Sequence, residues 1–566
     1  MPSELDQRLT ATTARVTAPG TPFEIGFLDR SGALLPVFAE APATLPDLFA
    51  KFCAEHGDAE FLVDGDVRLT FTQTRALANR VAAGLIARHG LRCGDRVGLA
   101  ARNSANWIVL YMGILMAGGS VALLNGWWTG DELVGGVALA GCSLVLADPA
   151  RTDRLAGVAS AVQVVCFEHG RPETGLAAVL DSGRASPRLP SPSADDLATI
   201  VFTSGSTGTA KAAASDHRAV VQATYNFGVA SQVVADALTP AGASPVPASA
   251  LVTVPLFHVT GEIAVFLQSF LIGRRLIIMP KWDARDAMRL IEQERITFFA
   301  GVPTMGVEIA NHPARRDYDL SSCVTFVAGG APRPVQHLDD LRGSLAHAAH
   351  VFGYGLTETN CVGSCNIGDN YAAKPRSSGQ ASLPLAEIAI LGPDGASLPP
   401  GLRGEIAVRS VCNIREYLGN PAETSAALRD DGFFLTGDLG YLDADGYLFV
   451  VARQKDIIIR GGENIASAEV EQALCAHPGV SEASVFGLPH ARYGEVPVAV
   501  YAIRDGHRLS EEELRAHLEA RIAAFKVPVR LWRENSALPR LGSEKIDKQG
   551  LKARYSRDWE GAKGAL

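Results

Sequence analysis

Residues 202–212 read Phe-Thr-Ser-Gly-Ser-Thr-Gly-Thr-Ala-Lys-Ala, and the reading of the whole chain turns on them. Hydroxyls at Thr203, Ser204, Ser206 and Thr207 crowd around Gly205 and Gly208, with Lys211 close behind. Glycines let main-chain amides approach a ligand, hydroxyls add hydrogen bonds and lysine adds charge, so this composition suits the phosphates of a nucleotide. The residues just before, LATIVF at 197–202, are apolar and partly β-branched, which predicts a loop leaving the end of a buried strand. The Walker A pattern does not fit. It needs glycine before the lysine and a magnesium-binding hydroxyl after it, and Ala210 and Ala212 stand in those places. For the segment alone, an unliganded Ser/Gly-rich turn is the plain alternative.

Composition narrows the class. A chain of 566 residues is too long for one ordinary core and implies two to four structural units. With 47% hydrophobic and 20% charged residues it reads as globular, and a net charge of −9 argues against nucleic acid or anionic membrane as a partner. The most apolar stretch, 250–273, is interrupted by His258, Glu262 and Gln268, so no integral membrane segment is expected. Charged residues through the first thirty positions are foreign to a secretory signal. Nine scattered cysteines read as reduced thiols, which points to a cytoplasmic setting. Cys361 and Cys365 lack companions at zinc-site spacing.

Apolar strands at 251–255, 275–280 and 324–328 alternate with helical patterns such as 284–294, which predicts α/β layers. The character changes near Arg453. Beyond it come a Gly-Gly loop at 461–462, a helix near 468–477, a strand near 496–503 and a helix starting at Ser510. Ser510 and Glu513 form a capping box, and Leu514, Leu518 and Ile522 share one helix face. A small α+β domain of 453–566 after a large domain of 1–452 follows.

Further polar or glycine-rich patches interrupt apolar runs: VPLFHVTG at 254–261, VAGGAP at 327–332, FGYGLTET at 352–359, LTGDLG at 435–440 and VARQKDIIIRGGENI at 451–465. Each alone could be an ordinary turn; a lone His258 at a strand end is more often a packed core residue. Near the end stands LPRLGSEKI at 538–546. In this order and at these separations, the motifs resemble the adenylate-forming superfamily of acyl-CoA synthetases, adenylation domains and luciferases, over about residues 45–552.

The resemblance implies a large N-terminal domain of layered α/β subdomains with a β-barrel-like part, and a small mobile α+β C-terminal domain. It implies a two-step reaction, in which a carboxylate and ATP give an acyl-adenylate and pyrophosphate, and the thiol of CoA then displaces AMP. By the same resemblance, Thr203, Ser204, Gly205, Ser206, Thr207, Gly208 and Lys211 embrace the β- and γ-phosphates. Glu358, with Thr203, binds Mg2+, and Thr357 touches the α-phosphate. Gly330, Ala331, Pro332 and Tyr354 frame adenine; Asp438 and Arg453 hold the ribose. Lys545 bridges the reacting oxygens, with Lys548 a second candidate. Lys455 matches the hinge, Gly461 and Gly462 admit the CoA arm, and His258 and Gly355 belong to the acyl pocket.

Departures qualify the match. Ala210 and Ala212 replace the family's proline and glycine beside Lys211, and Leu541 and Glu544 alter the segment before Lys545. The candidate pocket segments carry small or apolar residues and no cation for a second carboxylate, so the expected acid is an apolar monocarboxylate: fatty, alicyclic or aromatic. Trp127 and Trp128 read as core packing. A catalytically silent nucleotide-binding protein, a carrier-protein acceptor, luciferase-like oxidation and a homodimeric assembly stay open at this stage.

Overall fold

The computed structural model describes residues 3–30, 32–181, 188–204, 210–238, 247–329, 336–504, 506–541 and 545–559. It divides into two compact units, one of Met1–Gly330, Leu341–Ile388 and Ala407–Leu435, the other of Ala331–Asp340, Ala389–Ile406 and Thr436–Leu566.

The first unit is built on two large sheets. In the seven-stranded sheet, Leu197–Ser204 lies parallel to Ser120–Leu124, which is followed by Arg96–Ala100, Leu144–Ala147 and Gln163–Cys166. Parallel strands covered on both faces need near-continuous apolar runs. Ser120–Leu124 (SVALL) and Leu144–Ala147 (LVLA) are such runs, buried at every position. On its other side Leu197–Ser204 pairs antiparallel with Ala210–Asp216, placing Lys211 opposite Thr203. The expected buried strand is therefore present, and the strand paired with it carries Lys211.

The nine-stranded sheet carries the other patterns read from the sequence. Ser249–Val252, Arg275–Ile278 and Thr325–Gly329 occur within a few residues of their expected positions, and the helix between the last two spans Ala284–Gln293. Thr325–Gly329 runs parallel to Ala349–Gly355, which turns back antiparallel to Gly363–Ile367. No helix among the described residues is long and apolar enough to cross a membrane.

In the second unit, residues 438–442 of the strand Phe433–Leu442 pair antiparallel with Leu448–Arg453. The five-stranded sheet contains Ile457–Arg460, Glu463–Ala466, Val480–His490, Gly494–Ile503 and Arg530–Glu534. Helices Ser467–Cys475, Glu511–Glu519 and Lys548–Trp559 accompany it, and Glu511–Glu519 is capped by Ser510 and Glu513 as its sequence dictates. Leu514 and Leu518 are buried in one apolar cluster with Ile458, Val485 and Leu531, which explains their four-residue spacing.

Candidate active site

Lys211 and Glu358 are brought together by a residue that the motifs do not contain. Glu416–Tyr417 pairs antiparallel with Ala210–Asp216, and Leu418 N donates to Ala212 O at 2.9 Å. That register sets the Tyr417 ring beneath Lys211, whose Nζ lies 5.0 Å from the ring centroid. The Tyr417 hydroxyl donates to Glu358 Oε1 at 2.8 Å. Burial, followed by the adjacent Glu358 carboxylate, drives the phenol far above its ordinary range, so it stays a donor. Lys211 also forms an ion pair with Glu423. Tyr417 thus lies between Glu358 and Lys211, and Lys211 in turn pairs with Glu423.

Glu358 sits in the short 3₁₀ turn Thr357–Thr359, which packs against Leu197–Ser204, the strand that carries Thr203. The turn is held from both sides. Ile414 N donates to Glu358 O at 2.9 Å, and Thr359 Oγ1 donates to Val362 O at 2.6 Å. Asn360 and Cys361 adopt positive φ of 48° and 65°, and Asn360 Nδ2 is anchored on Cys412 O at 2.7 Å. Gly355 precedes the turn on a strand end so crowded that a Cβ there would meet Cys361 O at 2.2 Å. Tyr354, beside it, is half-buried and pairs with Ser364.

The segment containing His258 reaches this turn through Thr260, whose Oγ1 lies 3.8 Å from Cys361 Sγ. His258 is half-buried, its ring 4.8 Å from that of Phe257. Beyond it the chain enters a π-helical stretch, Thr260–Leu267. There Glu262 is wholly buried and accepts a 2.7 Å hydrogen bond from Tyr111. Burial pushes its carboxyl up to about 8, although the Tyr111 hydrogen bond pulls the other way. The tryptophan pair separates: Trp128 packs edge-on against Phe202, whereas Trp127 is 41% exposed and meets Phe257. Core packing therefore accounts for Trp128 only.

In the second unit, Asp438 and Arg453 face each other across the strand pair, with Arg453 Nε 3.2 Å from Asp438 Oδ1. The Asp438 side chain is 4% exposed, so a buried carboxylate is held in a fixed orientation by its cation. Lys455 lies in the 3₁₀ turn Gln454–Asp456 and is exposed. Gly461 and Gly462 both have positive φ, 59° and 91°, and form the tip between Ile457–Arg460 and Glu463–Ala466. Gly461 N donates to Tyr493 O at 2.8 Å, and the Arg460 and Arg492 guanidinium groups flank the Tyr493 ring. Lys545 is exposed, and its carbonyl accepts a hydrogen bond from Leu541 N at 2.7 Å. Lys548, the second candidate, is committed elsewhere, to Glu471 at 2.7 Å and Ser467 at 3.0 Å.

Gly205, Ser206, Thr207, Gly208, Gly330, Ala331 and Pro332 lie outside the described residues, as does the Ser204 side chain. Sequence reasoning missed Tyr417 and Glu423. The Asn420-Pro421 pair signals the helix Pro421–Ala427 that carries Glu423, but no local pattern ties it to Lys211, 212 residues away. Among the described residues no three His, Cys, Asp or Glu side chains converge as a metal cage. A carboxylate at Glu358 and a hydroxyl at Thr203 are a donor set suited to Mg2+ held mainly by substrate phosphates.

The profile of the AMP-binding enzyme family matches residues 49–418, and that of the AMP-binding enzyme C-terminal domain matches 469–545. The chain belongs to this family. It is 35% identical to a feruloyl-CoA synthase of an Amycolatopsis species over 495 residues, 87% of this chain and 95% of the relative. It is 32% identical over 535 residues, 91% and 99% of the two chains, to a Rhodococcus jostii (strain RHA1) CoA ligase named for a methyl-dioxo-octahydroindenyl propanoyl group. Among solved structures, ATP-bound MatB from Rhodopseudomonas palustris superposes with a TM-score of 0.79 at 28% identity, covering 91% of this chain and 99% of its own.

Proposed function

We propose that this enzyme is an ATP-dependent acyl-CoA ligase that activates an apolar monocarboxylic acid, fatty, alicyclic or aromatic, and hands it to CoA. In the first step a carboxylate oxygen attacks the α-phosphorus of ATP, the bond to the β-phosphate oxygen breaks, and pyrophosphate leaves. In the second the CoA sulfur, its proton lost to solvent, attacks the acyl carbon and AMP departs. The observation that carries this reading is the Glu358–Tyr417–Lys211 arrangement, which sets a carboxylate and an ammonium beside the paired strands Leu197–Ser204 and Ala210–Asp216.

The main obstacle in the first step is an anion approaching a triphosphate. Lys211 and residues 203–208 take the β- and γ-phosphates, and Thr357 the α-phosphate. Glu358 and Thr203 hold Mg2+, which when bound neutralises phosphate charge. Lys545 completes the charge compensation as a mobile cation on a long stem. The buried Asp438, oriented by Arg453, accepts hydrogen bonds from ribose hydroxyls, while Tyr354 and residues 330–332 flank adenine. His258 and Gly355 border the acyl group.

Residues 453–566 act as a domain that pivots at Lys455, presenting Lys545 for adenylation and the Gly461–Gly462 tip for thioester formation. Two glycines at positive φ leave the narrow pantetheine arm a path along bare backbone. The test is a panel of organic acids read by ATP–pyrophosphate exchange and then by CoA-thioester formation. Acid-dependent exchange followed by thioester is the expected result; no AMP from any acid overturns the reading.

A further inference from the structure

We propose that Glu423 is a built-in competitor for Lys211, a carboxylate that yields the ammonium to a bound polyphosphate and reclaims it as pyrophosphate leaves. The inference rests on the reading of Lys211 as a cation for the terminal phosphates. Four observations carry it. The Lys211–Glu423 pair joins residues far apart in sequence, so it belongs to the assembled site rather than to one helix surface. Both partners are partly open, 21% and 41% exposed, so the pair is exchangeable and worth little by itself. Lys211 is based on a strand whose next three residues, Ala212, Ala213 and Ala214, are buried, and its ammonium lies over the Tyr417 ring. Glu423 is equally restrained: its backbone N–H caps on Asn420 at 3.1 Å, and neighbouring Thr424 accepts from Tyr417 N at 3.0 Å.

An anion that reaches Lys211 therefore meets a negative charge whose backbone is anchored close by. It must displace the carboxylate and then tolerate it as a neighbour, which weakens binding of every phosphate at that position. For a product as highly charged as pyrophosphate, that weakening favours release. Tyr417 offers no substitute contact, because its hydroxyl is already given to Glu358.

The test is calorimetric binding of Mg2+–pyrophosphate and Mg2+–ATP to the full-length protein and to Glu423→Gln, Glu423→Asp, Lys211→Ala and the double variant Lys211→Ala/Glu423→Gln. Glu423→Gln should bind pyrophosphate about fivefold tighter at low salt, with the gain shrinking in 0.5 M salt as screening sets in. The gain should vanish when Lys211 is absent. Glu423→Asp, whose shorter stem reaches less well, should fall in the same direction. Unchanged or weaker pyrophosphate binding by Glu423→Gln, with Lys211→Ala still losing affinity, overturns the competitor role and leaves the proposed function standing. A Lys211→Ala variant that binds both ligands like the parent overturns both.

Discussion

The Tyr417 hydroxyl lies 2.8 Å from Glu358 Oε1, and the same residue's ring supports the Lys211 ammonium at 5.0 Å. One side chain therefore aims the carboxylate assigned to the metal and the cation assigned to the phosphates. Removing only the hydroxyl separates these duties. In Tyr417→Phe the ring stays under Lys211 and Glu358 loses a charge-assisted hydrogen bond, worth about 1.5–3 kcal/mol. We expect acid-dependent ATP–pyrophosphate exchange to fall about tenfold or more and the Mg2+ midpoint to move, with the KM for ATP changing less than about threefold. A normal Mg2+ titration would remove Tyr417 from the site.

The two candidate lysines near the C-terminus should separate cleanly. Lys545→Ala is expected to depress adenylation by about a hundredfold or more, while thioester formation from a supplied acyl-adenylate stays within about threefold. Lys548→Ala should leave that ratio alone and lower the melting temperature instead, since Lys548 is paired with Glu471 and Ser467. Equal loss of both half-reactions in Lys545→Ala contradicts the assignment.

Gly462 has a φ of 91°, where an L residue is strained by about 1–2 kcal/mol. Gly462→Ala should slow thioester formation about tenfold and leave pyrophosphate exchange within about twofold. Measuring the two half-reactions separately decides it; parallel losses would assign the strain to folding rather than to CoA passage.

Glu262 predicts a pH signature of stability. Its carboxyl is held up to about 8 in the fold against an ordinary value of 4.5, and the group facing it is the Tyr111 hydroxyl. Between these values the folded chain keeps a proton that the unfolded chain has lost, so stability falls as pH rises from about 4.5 towards 8. Glu262→Gln preserves the partner for Tyr111 and should flatten that slope by up to one proton, read from denaturant midpoints across this range. An unaltered slope in the variant would show that Glu262 ionises normally.

Much of the fold could be read from local strings. The apolar runs around 197–202 and 275–280 gave their strands because burial on both faces admits little else. Ser510 and Glu513 marked a helix start because unpaired amides at a helix N-terminus demand such partners. The Gly461–Gly462 tip was legible for a similar reason, since positive φ at both positions favours residues without a Cβ.

Other relationships were closed to sequence. Tyr417 and Glu358, Lys211 and Glu423, and Tyr111 and Glu262 are joined across 59, 212 and 151 residues. Residues 389–406 cluster with the second unit while the 407–435 stretch that follows belongs to the first, a division no linker composition announces. Short-range patterns record what a backbone segment needs from its immediate neighbours, and this chain's sequence alone determined its strands, caps, glycine turns and family chemistry. Which charges meet depends on strand register and on how buried surfaces stack, so only the tertiary structure decided that Tyr417 and Glu423 attend the motif residues.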